Sequence, residues 1–280
     1  MTQTPPLQDI RPSPIAGRWY PGTPAQLTGL IDDLLVQAEV APISDPIMGL
    51  LVPHAGYRYS GPVAAHAFKL VQGRSVDVVA LVGPSHHPYP AAIVTTAHDA
   101  YETPLGRVRV DHDLLAALGA RVPIHAVRHD PEHSLEIELP FLQHVLGTFD
   151  LLPLALIDQS YALAERLGLA LAAELDGKNA LLVASSDLSH FYSQPVANRL
   201  YHALLDAVAA FDPARVVQIE EEGQGFACGR GALAAVMIAA RALGANSAHI
   251  VEYATSGDVT HEYDRVVGYG AAVFCRCASA

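Results

Sequence analysis

Three apolar runs in the sequence each hand over to a segment that carries histidine. Residues 47–52 lead into Pro53-His54-Ala55-Gly56-Tyr57, and residues 76–82 into Gly83-Pro84-Ser85-His86-His87. Residues 180–184 lead into Ser185-Ser186-Asp187-Leu188-Ser189-His190-Phe191. Imidazole is the commonest metal-ligating side chain and titrates near neutrality, so metal binding and acid–base work are the chemistries this pattern can serve. One such histidine alone reads as an ordinary loop residue. Three delivered to equivalent strand ends can converge, because open α/β sheets place ligand sites outside the carboxyl ends of their strands. Cys228, in Gly225-Phe226-Ala227-Cys228-Gly229-Arg230-Gly231, precedes the helical pattern GALAAVMIAARAL. A thiol at a helix N-terminus beside an arginine is expected to have a lowered pKa, which suits a metal ligand or a nucleophile. The commoner fate of a free cysteine is that of a small buried hydrophobe.

A further block, His129-Asp130-Pro131-Glu132-His133-Ser134-Leu135-Glu136, opens an expected helix over 133–146. His133 and Glu136 are three apart and share one face of its first turn, which suits acid–base work or support of a metal ligand. Charge matching at a helix start explains Glu132 and Glu136 equally well. The remaining histidines have no partner pattern, and Cys275 and Cys277 read as structural or exposed. No Walker pattern, GxGxxG, GxSxG or HExxH is present, so phosphate-cradling loops, hydrolase elbows and zincin helices are not indicated.

The elements that must carry these residues alternate along the chain. Continuous apolar runs at 47–52, 76–82, 92–96, 149–157, 180–184, 249–254 and 266–274 read as strands buried on both faces. Helical patterns at 26–38, 62–71, 113–118, 133–146, 161–175, 195–211 and 231–243 lie between them. No composition shift marks a boundary, so the expectation is one α/β domain over 14–280, with a mostly parallel or mixed central sheet flanked by helices. The polar, proline-rich residues 1–13 are expected to be loosely held. Trp19, the only tryptophan, is expected as a buried aromatic clamp.

Composition narrows the class. Of 280 residues 51% are hydrophobic and 16% charged, against about 25% charged in a typical domain, so a large covered core is expected. A net charge of −12 supplies no cationic excess to displace counterions from phosphates, which argues against nucleic acid as a partner. No apolar stretch reaches the roughly 18 residues of a bilayer span, and the N-terminus lacks a signal-peptide pattern, so no membrane association is expected. Three cysteines cannot all pair, and a cytoplasmic setting is the expectation.

The ordered blocks at 53–61, 83–87, 132–136, 185–190 and 228–230, with Ala16-Gly17-Arg18-Trp19-Tyr20-Pro21-Gly22 and Tyr101-Glu102-Thr103-Pro104-Leu105-Gly106, resemble the signature of the Memo family. In prokaryotes this family is also called AmmeMemoRadiSam system protein B. The resemblance runs from about residue 14 to 274. It implies the fold of the class III extradiol dioxygenases (LigB-like), which are non-haem Fe(II) enzymes. It also implies metal ligation by His54, His86 and Cys228, with Asp187 and His190 lining the same pocket.

Three functions follow as expectations. The first is a redox protein that uses Fe(II), or else copper, on an unknown small-molecule substrate, with His190, His133, Asp187 and Glu136 as its acid–base and relay residues. A thiolate in place of the usual carboxylate softens such a site and also admits Cu(I) or zinc. The second is a non-catalytic accessory protein acting with AMMECR-type and radical-SAM partners, which the prokaryotic family name implies. The third is a zinc hydrolase or cysteine-nucleophile enzyme built on Cys228, His190 and Asp187.

Overall fold

In the computed structural model, which describes residues 7–277, twelve strands form two sheets. They are β1 (Ile10–Arg11), β2 (Ile47–Val52), β3 (Val78–Pro84), β4 (Ile93–Thr96), β5 (Ala100–Thr103) and β6 (Gly106–Arg109), followed by β7 (His125–Val127), β8 (Asp150–Leu156), β9 (Ala180–Ser185), β10 (His190–Tyr192), β11 (Ser247–Thr255) and β12 (Val266–Cys275). Nine of them make one mixed sheet in the order β10-β12-β2-β9-β3-β8-β4-β7, with β11 also on β12. The central strands β2, β9, β3 and β8 are parallel. All seven residues of β3 are buried, which requires cover on both faces of the sheet. β11 departs from the expected full burial: most of its residues are only half-buried, as befits a strand with one partner. β1, β5 and β6 form the small second sheet.

The cover comes from helices α1 (Pro24–Gln37), α2 (Tyr57–Lys69), α3 (His112–Gly119), α4 (Leu139–Leu146), α5 (Tyr161–Leu175), α6 (Gln194–Ala209), α7 (Pro213–Glu221) and α8 (Arg230–Ala242), with a short α9 (Gly257–Thr260). α1 buries Leu27, Ile31, Leu34 and Leu35, spaced to form one stripe and each contributing about 2 kcal/mol. α8, apolar nearly all round, packs on β2, β3, β8 and β9, with α5 and α7 against its other sides. α2 packs on β2, β11 and β12 and against α1 and α4. No helix among the described residues is long and apolar enough to cross a membrane.

Register positions the chemistry. Val52 of β2 lies opposite Ser185 of β9, and Val82 of β3 opposite Ala184. β9 therefore sits between β2 and β3, and the three strands end side by side. The segments carrying His54, His86 and Asp187 leave the sheet as neighbours.

Three local expectations are corrected. The segment expected to be loose over 1–13 is not so at its far end: β1 pairs in parallel with β5 and Arg11 is buried. Residues 1–6 lie outside the described residues. The helix expected from residue 62 starts instead at Tyr57. Pro62 removes one helical donor, but Tyr57 is buried and its hydroxyl donates to Ile137 O at 2.9 Å, so tertiary anchoring outweighs that loss. The helix expected over 133–146 divides into a 3₁₀ turn at Glu136–Glu138 and α4.

Candidate metal centre

The loops after β2, β9 and β3 are each held by a hydrogen bond from a backbone N–H. Ser186 N–H donates to Val52 O at 2.8 Å, and His54 N–H donates to Asp187 Oδ1 at 2.7 Å. His86 N–H donates to Glu132 Oε2, which ties the third loop to the turn before α4. The segment ahead of α8 closes the site from above the β9 end. Cys228 N–H donates to Asp187 O at 3.2 Å, and Gly229 N–H to Ser186 Oγ at 2.9 Å. A side chain at 229 would place its Cβ 2.8 Å from Ser185 O, so glycine permits this approach.

These constraints bring three donor atoms together. One ligand atom each from His54, His86 and Cys228 lies within 4.8 Å of the others, and His54 Nε2 is 3.2 Å from Cys228 Sγ. His54 is buried and Cys228 half-buried, whereas His86 is exposed, so the centre has one open side. Each histidine has its other ring nitrogen engaged. His54 Nδ1 lies 2.9 Å from Ser185 Oγ, and Ser185 in turn donates to Ser134 O at 2.6 Å. Glu138, 3.0 Å from Ser185 Oγ, has its carboxyl held well above the usual range by burial, so its proton completes the network. His54 Nδ1–H therefore donates to Ser185. His86 Nδ1 donates to Glu132 Oε1 at 3.0 Å. His54 Nε2 is thereby left to face the thiol, 3.2 Å away, which is how outer partners orient metal-binding histidines. The donor set of two imidazoles and one sulfur fits a transition ion.

Electrostatics acts on the two imidazoles in opposite directions. Burial, followed by the neighbouring His133 and His86, pushes His54 well below its ordinary value, so it stays neutral. Burial would lower His86 too, but the Glu132 hydrogen bond and charge win and raise it. Burial works against the charged form of Glu132 as well, yet hydrogen bonds from His86 and from Ser134 N–H hold that carboxyl far below its usual range. Asp187, which accepts from His54 and Ala55 N–H, is pushed up to about 7 by burial.

The residues assigned acid–base roles fare differently. His133 is present: its ring stacks on His86 at 4.7 Å and meets His54 edge-on at 5.5 Å. Burial lowers its pKa to about 4. Trp19, expected to be buried, is only half-buried and lies against this ring, centroids 4.2 Å apart. His190, at the start of β10, is lowered by burial and by His86, and its ring meets Phe226 edge-on at 5.4 Å. Glu136 is not brought to the centre. It turns away to Arg11 Nη1 at 2.5 Å and Tyr20 Oη at 2.8 Å, with Ser13 as a third donor, from the start of the 3₁₀ turn at Glu136–Glu138. The expectation of a low-pKa Cys228 is also corrected. Burial and then the Asp187 charge push its thiol up, while Arg230 faces Glu220 rather than the sulfur.

Sequence reasoning missed Ser185, Glu138 and Arg11, and gave Glu132 no certain role. Ser185, the last residue of β9, directly follows the apolar run 180–184 and could have been flagged by that position. Nothing local marks Glu138 or Arg11.

Residues 11–273 match the family described as Memo-like protein. A MEMO1 family protein of Nitrosopumilus maritimus is 35% identical over 274 residues, covering 95% of this chain and 99% of the relative. One from Methanococcoides burtonii is 37% identical over 268 residues, covering 94% and 99%. Among solved structures, an uncharacterized protein of Escherichia coli K12 shares the fold, with a TM-score of 0.51 at 15% identity over 81% of this chain and 100% of that one.

Proposed function

The chain belongs to the Memo-like family, and on that premise we propose that it is a metal-binding protein holding Fe(II), or else copper or zinc, through His54, His86 and Cys228. The observation that carries this reading is the convergence of three donor atoms within 4.8 Å, with the other nitrogen of each histidine already engaged. Bound iron or copper would supply redox and O₂ chemistry of the dioxygenase-like kind. Around it, Asp187 titrates near neutrality and is the group suited to exchange a proton with a small-molecule substrate. His133 and His190, both lowered, are neutral and able to orient a substrate by hydrogen bonding. The exposed His86 side admits the substrate. Action alongside AMMECR-type and radical-SAM partners is compatible with this site.

The test is metal content of untagged protein purified without oxygen, for wild type and Cys228→Ala, followed by O₂ uptake. Near-stoichiometric iron lost in the variant is the expected result; no retained metal in either, even after loading, sinks the reading. A second reading has its own observation: Cys228 Sγ and His54 Nε2, 3.2 Å apart, also form a thiol–imidazole pair. Iodoacetamide labelling of Cys228 that added metal does not slow would favour it.

A further inference from the structure

The ring of His133 connects the candidate centre to the outside. It stacks on His86, with centroids 4.7 Å apart and 20° between the planes, and meets His54 edge-on at 5.5 Å. The Trp19 indole lies against it, 4.2 Å between centroids. Trp19 in turn is half-buried and walls a cleft of about 440 Å³ together with Ala55 and Gly56, the two residues after His54. A run of touching rings therefore leads from the cleft to His86. The backbone fixes its first member: Trp19 N–H donates to Ile15 O at 3.0 Å, and Trp19 O accepts from Tyr57 N–H at 2.9 Å.

His86, Glu132 and His133 also bring one ligand atom each within 4.8 Å of the others, but the two rings lie nearly parallel. An imidazole nitrogen binds a cation in the plane of its ring, and an ion in the plane of one stacked ring lies outside the plane of the other. Glu132 Oε1 is moreover already taken by His133 and Ser134 N–H, at 2.8 and 2.9 Å. The trio is therefore a ring stack with an anchored carboxylate, and what such a stack conducts is electrons. Indole is among the side chains that give up an electron most readily. Its radical cation forms without a proton acceptor, whereas a phenol must lose its proton as it is oxidised. Among the described residues no tyrosine stacks on a histidine of the centre. Tyr20 and Tyr57 face each other instead, 5.5 Å between centroids, with their hydroxyls held by Glu136 and Ile137 O.

We propose that Trp19, bridged by His133, is the one-electron port of the metal centre, where a small one-electron carrier in the cleft exchanges electrons with bound iron or copper through these two rings. This deepens the metal-centre reading and rests on it. In the outward direction the carrier takes one electron from the indole, and the indole radical cation regains one from the bound ion, which is oxidised by one electron. No bond is made or broken and no proton moves. In the inward direction an oxidising equivalent at the centre passes out to the indole, where a reduced carrier removes it. That route spares Cys228, whose sulfur is otherwise the oxidisable group at the centre.

Trp19 is the only tryptophan, so an indole radical in this protein is its radical. The experiment uses flash-generated tris(bipyridine)ruthenium(III) as the one-electron carrier, with the full chain in metal-free and Fe(II)-loaded forms whose iron content is measured first. In the metal-free protein the indole radical should appear and persist. In the loaded protein it should vanish in a fast phase, matched by ferric iron in the paramagnetic resonance of freeze-quenched samples. Trp19→Phe keeps a ring against His133 but removes the oxidisable one, so it should retain wild-type iron and lose the fast phase. Trp19→Tyr should restore that phase in slower form, because the phenol must release a proton. Tyr192→Phe, which removes an exposed ring outside the stack, should change nothing. A fast phase of wild-type rate in Trp19→Phe would overturn the proposal, because the electron would then leave through the exposed His86. So would an indole radical that lasts as long with iron as without. Failure of the metal centre shows separately, as iron absent from wild type even after loading, and it takes the port down with it.

Discussion

Two polar clusters lie against each other at the carboxyl edge of the sheet, and they are finished differently. Around Arg11, every arm of the guanidinium has an acceptor: Asp130 Oδ2 at 2.7 Å, Glu136 Oε2 at 2.5 Å, and the carbonyls of Asp130 and Glu132 at 3.0 and 2.6 Å. The other oxygen of Glu136 is taken by Tyr20 and Ser13. Around His54, His86 and Cys228, the Nδ1 atoms are held from outside, and one potential ligand atom from each residue lies within 4.8 Å of the others. A buried polar cluster whose bonds all close is scaffold, because nothing remains for a ligand. One that leaves donor atoms converging is a site. Glu132 belongs to both: its carbonyl accepts from Arg11, and its carboxylate holds His86.

Substitutions should separate the two clusters. The largest effect is expected for Cys228→Ala. If the centre is worth about 10–16 kcal/mol in metal binding, as a structural zinc site is, one ligand in three carries roughly a thousandfold in affinity. Competitive chelation should show that loss while the thermal midpoint of the metal-free protein barely moves. Arg11→Met should do the reverse. It leaves Glu136 buried without its charge partner, which costs about 3–5 kcal/mol of stability in urea unfolding; a variant as stable as wild type would show that the cluster is not scaffold. Glu132→Gln sits between them, with about 10–100-fold weaker metal binding as the His86 ring loses its charged anchor. The smallest effect is that of pH. Burial and Asp187 hold the Cys228 thiol above its usual range, so metal uptake must expel its proton, and affinity should rise about tenfold per unit as pH increases. A flat profile in metal titrations would mean that the sulfur is not a ligand.

Much of this was legible along the chain. All seven apolar runs read as strands are strands, and the α5 pattern over 161–175 coincides with the observed helix. The short strands β1, β5, β6, β7 and β10 were not, because two to four residues carry too little periodicity to register. α7 was not among the expected helices either; it buries Val216, Val217 and Ile219. At the site, His54 and His86 were marked by their place after strands. Glu136 was misassigned because spacing on an ideal helix placed it beside His133, and the chain there makes a 3₁₀ turn instead.

What the sequence determined by itself is therefore the alternation of elements, the strand ends that carry histidine, and the family to which the blocks belong. These rest on patterns a few residues long, and local propensity and burial write such patterns into the chain. Tertiary structure alone decided that β9 runs between β2 and β3, and so which strand ends are neighbours. It also decided that Cys228, 174 residues from His54, closes on that histidine, that Arg11 binds the turn behind His86, and that the thiol is raised rather than lowered. The physical reason is common to all four. Strand order, ion pairing and desolvation depend on groups far apart in the chain, and no window of the sequence contains both partners.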